Sequence, residues 1–171
     1  MSATSCSSLL KNRKNLDISF LAWHQKKVIA LESYHIDIEA IPAVHGSTFL
    51  TRFLMGRVNG YLLTIRHEND QKTIYISADT VFVPEIPAAL QDRKIDLFIP
   101  NMGQARLKMI GGPITMDIPM LRRFMQELKP ALTLPVHVDD FSHFETSRSE
   151  LKAYEQNDLK VLGNGESLKI M

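Results

Sequence analysis

Three residues that commonly ligate metals stand at the ends of apolar runs in this sequence, each where a strand would stop. His45 closes the run Ile38 to Val44 and precedes Gly46, Asp79 closes Ile74 to Ala78 and precedes Thr80, and His137 closes Leu132 to Val136. Two imidazoles and a carboxylate drawn together suit zinc, iron or manganese, because imidazole nitrogen is a borderline ligand and carboxylate oxygen a hard one. Each residue also has a plainer reading. An aspartate after a strand serves equally as a turn or helix-capping residue, and a histidine beside Gly46 or Pro135 as a hydrogen-bonded loop residue. The recurrence of the pattern at three strand ends favours a site. His24, His35 and His67 lie in polar or alternating contexts and read as solvated. His143, within Phe141-Ser142-His143-Phe144, reads either as a support for His137 or as a packed side chain. Arg106, Lys108, Gly111 and Gly112 could form an anion-binding flap or simply a solvated loop.

The elements that must position these residues follow from periodicity. Lys27 to Leu31 is a short β-leaning run. His35 to His45 alternates Ile36, Ile38 and Ala40 with Asp37 and Glu39, which predicts a half-buried strand, and Pro42 confines it to an edge or a strand end. Tyr61 to Ile65 and Thr73 to Ser77 flank the polar stretch His67 to Lys72 and predict a hairpin. Ile95 to Pro100 and Ala131 to Val138 are further strands. Between them, Asp117 caps a helix over Ile118 to Lys129, with Pro119 in its first turn and Pro130 after its end. Its Ile118, Leu121, Phe124, Met125 and Leu128 fall at helical spacing. The strand-helix-strand succession predicts a parallel β-α-β unit. Glu85 to Arg93 reads as a short helix, Ser147-x-x-Glu150 as a capping box opening a helix toward Gln156, and Val161 to Ile170 as a closing hairpin. In an open α/β sheet, sites gather at the carboxyl ends of strands, where loops splay into a crevice.

Composition narrows the function classes. The 171 residues are enough for one domain with a hydrophobic core, and 20 Lys and Arg against 19 Asp and Glu give no electrostatic pull toward nucleic acid or anionic membrane. The single cysteine, Cys6, cannot make an intramolecular disulfide. The apolar stretch Ile18 to Ala22 is too short for a signal-peptide core, and no run approaches a membrane span. These features lead us to expect a cytoplasmic protein.

The segments IEAIPAVHG, NGYLLTI, TIYISADT, IDLFIPNMG, ITMDIPMLRRFMQELKP and LPVHVDDF, in this order, resemble the second half of the metallo-β-lactamase superfamily. They look most like its branch of ascorbate-6-phosphate lactonase-like proteins and N-acyl-phosphatidylethanolamine phospholipase D. The resemblance runs from about Leu31 to the C-terminus, and VLGNGESLKIM is similar to the branch's closing segment. It implies an α/β fold: part of an αββα sandwich, one mixed sheet with helices on one face. Residues 1–30 would be a leader and remnant of the other half. The resemblance also implies that His45 binds one metal, that Asp79 bridges two, and that His137 binds the second; Thr80 and His143, beside these ligands in sequence, are read as supporting them or contacting substrate. Zinc, manganese or iron would then activate water against a lactone or phosphodiester. Two departures stand out. Ala78 occupies the position of a family glycine, where a backbone with φ > 0 would strain alanine. The H-x-H-x-D-H segment, which supplies about half the family's ligands, does not occur, since no two histidines stand two apart.

Three expectations follow: a truncated or impaired hydrolase holding metal weakly; an active one completed by a separate upstream half; or a non-catalytic protein-binding module. In each case the face of the sheet away from the helices lacks its usual cover, so a homodimer or a missing-half partner is expected.

Overall fold

A computed structural model describes residues 19–106, 111–139 and 144–170. Six strands form one mixed sheet in sequence order: β1 (Lys26–Ala30), β2 (Tyr34–Val44), β3 (Arg57–His67), β4 (Asp70–Ala78), β5 (Leu97–Pro100) and β6 (Leu132–Thr133). The first four run antiparallel, and β4, β5 and β6 run parallel. The predicted β-α-β unit is therefore present, with its crossover through the helix over Ile118–Leu128. β1, within residues 1–30, pairs antiparallel with β2. Pro42 lies past the last β2 residue paired with β1, where its missing N–H costs no ladder bond on that side.

Four helices accompany the sheet: α1 (Phe49–Met55), α2 (Glu85–Ala89), α3 (Ile118–Leu128) and α4 (Arg148–Lys152). Asp117 caps α3 by accepting from the Met120 N–H at 2.8 Å, and Lys129 ends it in the left-handed region at φ 45°. One face of the sheet carries the paired row Glu39, Leu62, Tyr75, Phe98 and Thr133, every member buried. Onto this row pack Ile86 of α2, Ile118, Leu121 and Phe124 of α3, and Leu151 of α4. Aromatic rings carry the contact from sheet to helix: Tyr75 stacks on Phe98 at 5.3 Å, and Phe98 lies 5.7 Å from Phe124.

The structure corrects the sequence-based expectations in several places. The expected half-buried alternation of β2 is absent: Tyr34 and His35 are exposed, Ile36, Asp37 and Ile38 are all half-buried, and from Glu39 to Ala43 both faces are buried. Glu39 lies under the helical layer, paired with Lys26 at 3.2 Å and Arg93 at 3.3 Å. The polar stretch between β3 and β4 shrinks to the two-residue turn Glu68-Asn69, since ladder pairing extends through His67 and Asp70. The last strand is only two residues long, because Pro135 interrupts it; extended chain continues through bonds from Leu134 N–H to Phe98 C=O and Val136 N–H to Pro100 C=O. α2 and α4 are also shorter than expected. No strand forms over 161–170: the Gly163 turn closes on itself, with its N–H donating to the Glu166 carboxylate at 2.6 Å. α1 was not anticipated; its apolar Phe49, Leu50, Phe53 and Leu54 stand at helical spacing but face solvent rather than a core.

Candidate metal centre

The ends of β2 and β4 are tied by Thr80. Its hydroxyl accepts from the Val44 N–H at 2.9 Å and donates to the Val81 carbonyl at 3.0 Å, while the Val81 N–H donates to the Val44 carbonyl at 2.9 Å. Thr80 is fully buried. It therefore locks the residue before His45 to the residues after Asp79.

His45 is followed by Gly46 at φ 127°, where a Cβ would fall 2.4 Å from the Thr51 hydroxyl oxygen. Both the backbone angle and the contact require glycine. Thr51 itself closes a reciprocal cap with Thr48 that starts α1, each hydroxyl accepting from the other's backbone N–H, at 3.0 and 3.2 Å. The His45 loop is thus held from β4 on one side and from α1 on the other.

Asp79 leaves the strand through Ala78, whose φ is 51° and which sits at a register shift in the β4–β5 ladder. The conformation that favours glycine is therefore adopted by alanine, at a cost of roughly 1–2 kcal/mol for an L-residue. The Asp79 carboxylate accepts from the Asn101 side-chain amide at 3.0 Å and lies 3.6 Å from His137 Nδ1. Asn101 is placed in turn by its N–H donating to the Ser77 hydroxyl at 3.0 Å and by a parallel bridge to Val136. His137 also takes a left-handed backbone, φ 60°, and its ring meets Phe144 edge-on at 4.9 Å. Phe144 packs where a side chain on Gly103 would be.

His45 senses both partners. Burial holds its pKa below the ordinary imidazole value of 6.5; the Asp79 carboxylate opposes the shift, and His137 adds to it. A neutral imidazole is the form that ligates a metal. Its Nε2 is buried with no hydrogen-bond partner among the described residues, an atom that a metal would satisfy. The donor set of two imidazoles and one carboxylate fits zinc, iron or manganese in part. It is not a closed cage. Among the described residues, no group of three His, Cys, Asp or Glu is arranged to hold an ion. Asp79 is engaged with Asn101 and His137, and His45 stands beside that pair.

Among the other sequence candidates, Thr80 is a structural tie, and His143 and Lys108 lie outside the described residues. Arg106 pairs with Glu145 at 2.8 Å, and Gly112 packs on Ser47. Asn101 escaped the sequence reading. Its signal was a further strand end, directly after Pro100. No helix among the described residues is long and apolar enough to cross a membrane.

No protein-family model matches the chain. It is similar to the UPF0173 metal-dependent hydrolase NEQ378 of Nanoarchaeum equitans (strain Kin4-M), with 27% identity over 118 residues, 67% of this chain and 49% of the relative. Among solved structures, the isothiocyanate hydrolase from Delia radicum gut bacteria superposes with a TM-score of 0.78 at 23% identity, over 98% of this chain and 66% of that one. The metallo-β-lactamase fold protein YhfI from Bacillus subtilis superposes with a TM-score of 0.56 at 14% identity, over 94% of this chain and 60% of that one. The chain spans about half the length of the curated relative it matches.

Proposed function

The chain has the metallo-β-lactamase fold, and from that premise we propose that it carries one side of the metal centre of a metal-dependent hydrolase acting on a small ester or phosphodiester. The observation that carries the reading is the 3.6 Å approach of Asp79 to His137, beside a His45 whose Nε2 is buried with no hydrogen-bond partner among the described residues. The similarity to a protein named as a metal-dependent hydrolase supports the reaction class.

In this reading His45, Asp79 and His137 are ligands. When bound, the metal supplies Lewis acidity toward a carbonyl or phosphoryl oxygen and activates water. The chain's own residues prepare the place for it. Burial favours the neutral form of His45, the Asn101 amide orients Asp79, and Thr80 fixes the spacing of two of the three loops. The remaining ligands come from polypeptide outside this sequence, on a second sheet packed against the face away from the helices. That face carries the row Ile38, Leu63, Ile74, Leu97 and Leu132, of which only Leu97 is fully buried. Apolar surface of this kind marks an interface. Pairing of two copies through the same face is the other possible cover.

Equilibrium dialysis against zinc, with bis(p-nitrophenyl) phosphate as the probe substrate, tests the proposal. The chain alone should take up zinc weakly, His137→Ala should weaken uptake by at least about tenfold, and turnover should stay near background. Zinc uptake unchanged by His137→Ala would overturn the ligand assignment. Robust turnover lost in that variant would show that this sequence needs no further half.

A further inference from the structure

Beside the His45 loop lies a second concavity that the metal centre does not use. It has a volume of about 440 Å³ and is lined by Trp23, Val44, Arg52, Phe53 and Arg57 together with Ala43 and Gly56. This is within the size range of small-molecule sites. Its walls are tied down. The Trp23 indole donates to the Val58 carbonyl at 2.9 Å, and the Arg57 guanidinium sits over the Trp23 ring at 5.0 Å. Arg52 donates through Nε to the Gly46 carbonyl at 3.2 Å, which joins this pocket to the loop carrying His45. Phe53 is 75% exposed, although it is a large apolar side chain on a capped helix.

Charge decides what such a pocket accepts. Two guanidinium groups line it and no carboxylate does. Neither arginine is paired with a carboxylate among the described residues. Arg52 spends Nε on Gly46 but keeps its terminal nitrogens, and Arg57, over the Trp23 ring, brings five N–H donors of its own. Apolar rings and guanidinium donors in one lining complement a molecule with an apolar body and one anionic group.

We propose that this pocket binds a small organic anion with a bulky apolar body, its carboxylate or phosphate held by Arg52 and Arg57 and its body against Trp23 and Phe53. The inference stands apart from the metal centre and needs no metal for its test. Trp23 is the single tryptophan of the chain, so its emission reports occupancy directly. Titration of the purified chain with 4-cyclohexylbutanoate should change that emission saturably. The neutral 4-cyclohexylbutanol should bind at least about tenfold more weakly, the loss of the charge-assisted bonds to the two guanidinium groups. Arg57→Gln should narrow the gap between anion and alcohol, with Arg52 supplying what remains, and Phe53→Ser, at an exposed position that leaves the fold intact, should weaken both. Absence of a saturable response, a response indifferent to Phe53→Ser, or equal affinity for acid and alcohol would each overturn the proposal.

Discussion

The two faces of the sheet carry similar residues and meet different surroundings. On one, the row through Leu62, Tyr75 and Phe98 is buried beneath α2, α3 and α4. On the other, one residue along each strand, Ile38, Leu63, Ile74 and Leu132 are only half covered, and Tyr61 and Val136 are exposed. Both rows are as apolar as a strand buried on both sides requires. Side-chain type therefore records that both faces were meant to be covered, while burial records which one is covered within this chain. The metal-ligand candidates stand at the strand ends, where a site can draw on layers from either face.

The comparison can be tested by truncation. Phe124→Ala on the helical layer should cost about 3–5 kcal/mol in urea unfolding, because it removes a fully buried ring and leaves a cavity. Leu63→Ala on the open face should cost about 1 kcal/mol or less, since much of the lost transfer energy was never gained. Equal losses would mean that the open face is covered in solution, and sedimentation at micromolar concentration would then reveal the partner copy.

A smaller effect is expected where β4 breaks its alternation. Ala78→Gly relieves a left-handed alanine worth roughly 1–2 kcal/mol but adds roughly 0.5–1 kcal/mol of chain entropy to the unfolded state. The net should be a stabilisation on the order of 0.5 kcal/mol, read as a raised urea midpoint with unchanged slope. A loss of stability would show that the Ala78 methyl is packed rather than strained.

The smallest effect concerns the buried row. The Tyr75 hydroxyl is fully buried with no hydrogen-bond partner among the described residues, and burial pushes its pKa far above the ordinary value. Tyr75→Phe keeps the stack on Phe98 and removes an unsatisfied polar group, so stability should be unchanged or higher by roughly a few tenths of a kcal/mol. A clear destabilisation would reveal a partner for the hydroxyl, such as a bound water.

Much of the fold was legible because it rests on local periodicity. The capping of α3 by Asp117, the hairpin of β3 and β4, and the parallel crossover all follow from residue order and steric rules. α1 was not legible, because its exposed Phe49 and Phe53 contradict the expectation that apolar spacing points to a core. The end of the chain misled in the opposite sense. Gly163-Asn164-Gly165 signals a turn, but strands beside a turn need a neighbour to pair with, and only packing decides whether one is there.

For the candidate site, the sequence by itself determined which residue types follow the apolar runs: His45 and Asp79, which directly succeed β2 and β4, and His137, which the structure places four residues past the two-residue β6. Covalent order fixes that, and the period of two fixes which runs are strands. Only the tertiary structure decided that Asp79 faces His137 and Asn101, that Thr80 ties the Val44 and Val81 backbones, and that Ala78 and His137 adopt left-handed backbones. These features depend on contacts between segments far apart in the chain. Whether such contacts form is settled by the packing of the whole sheet against its helices, which no local window of sequence contains.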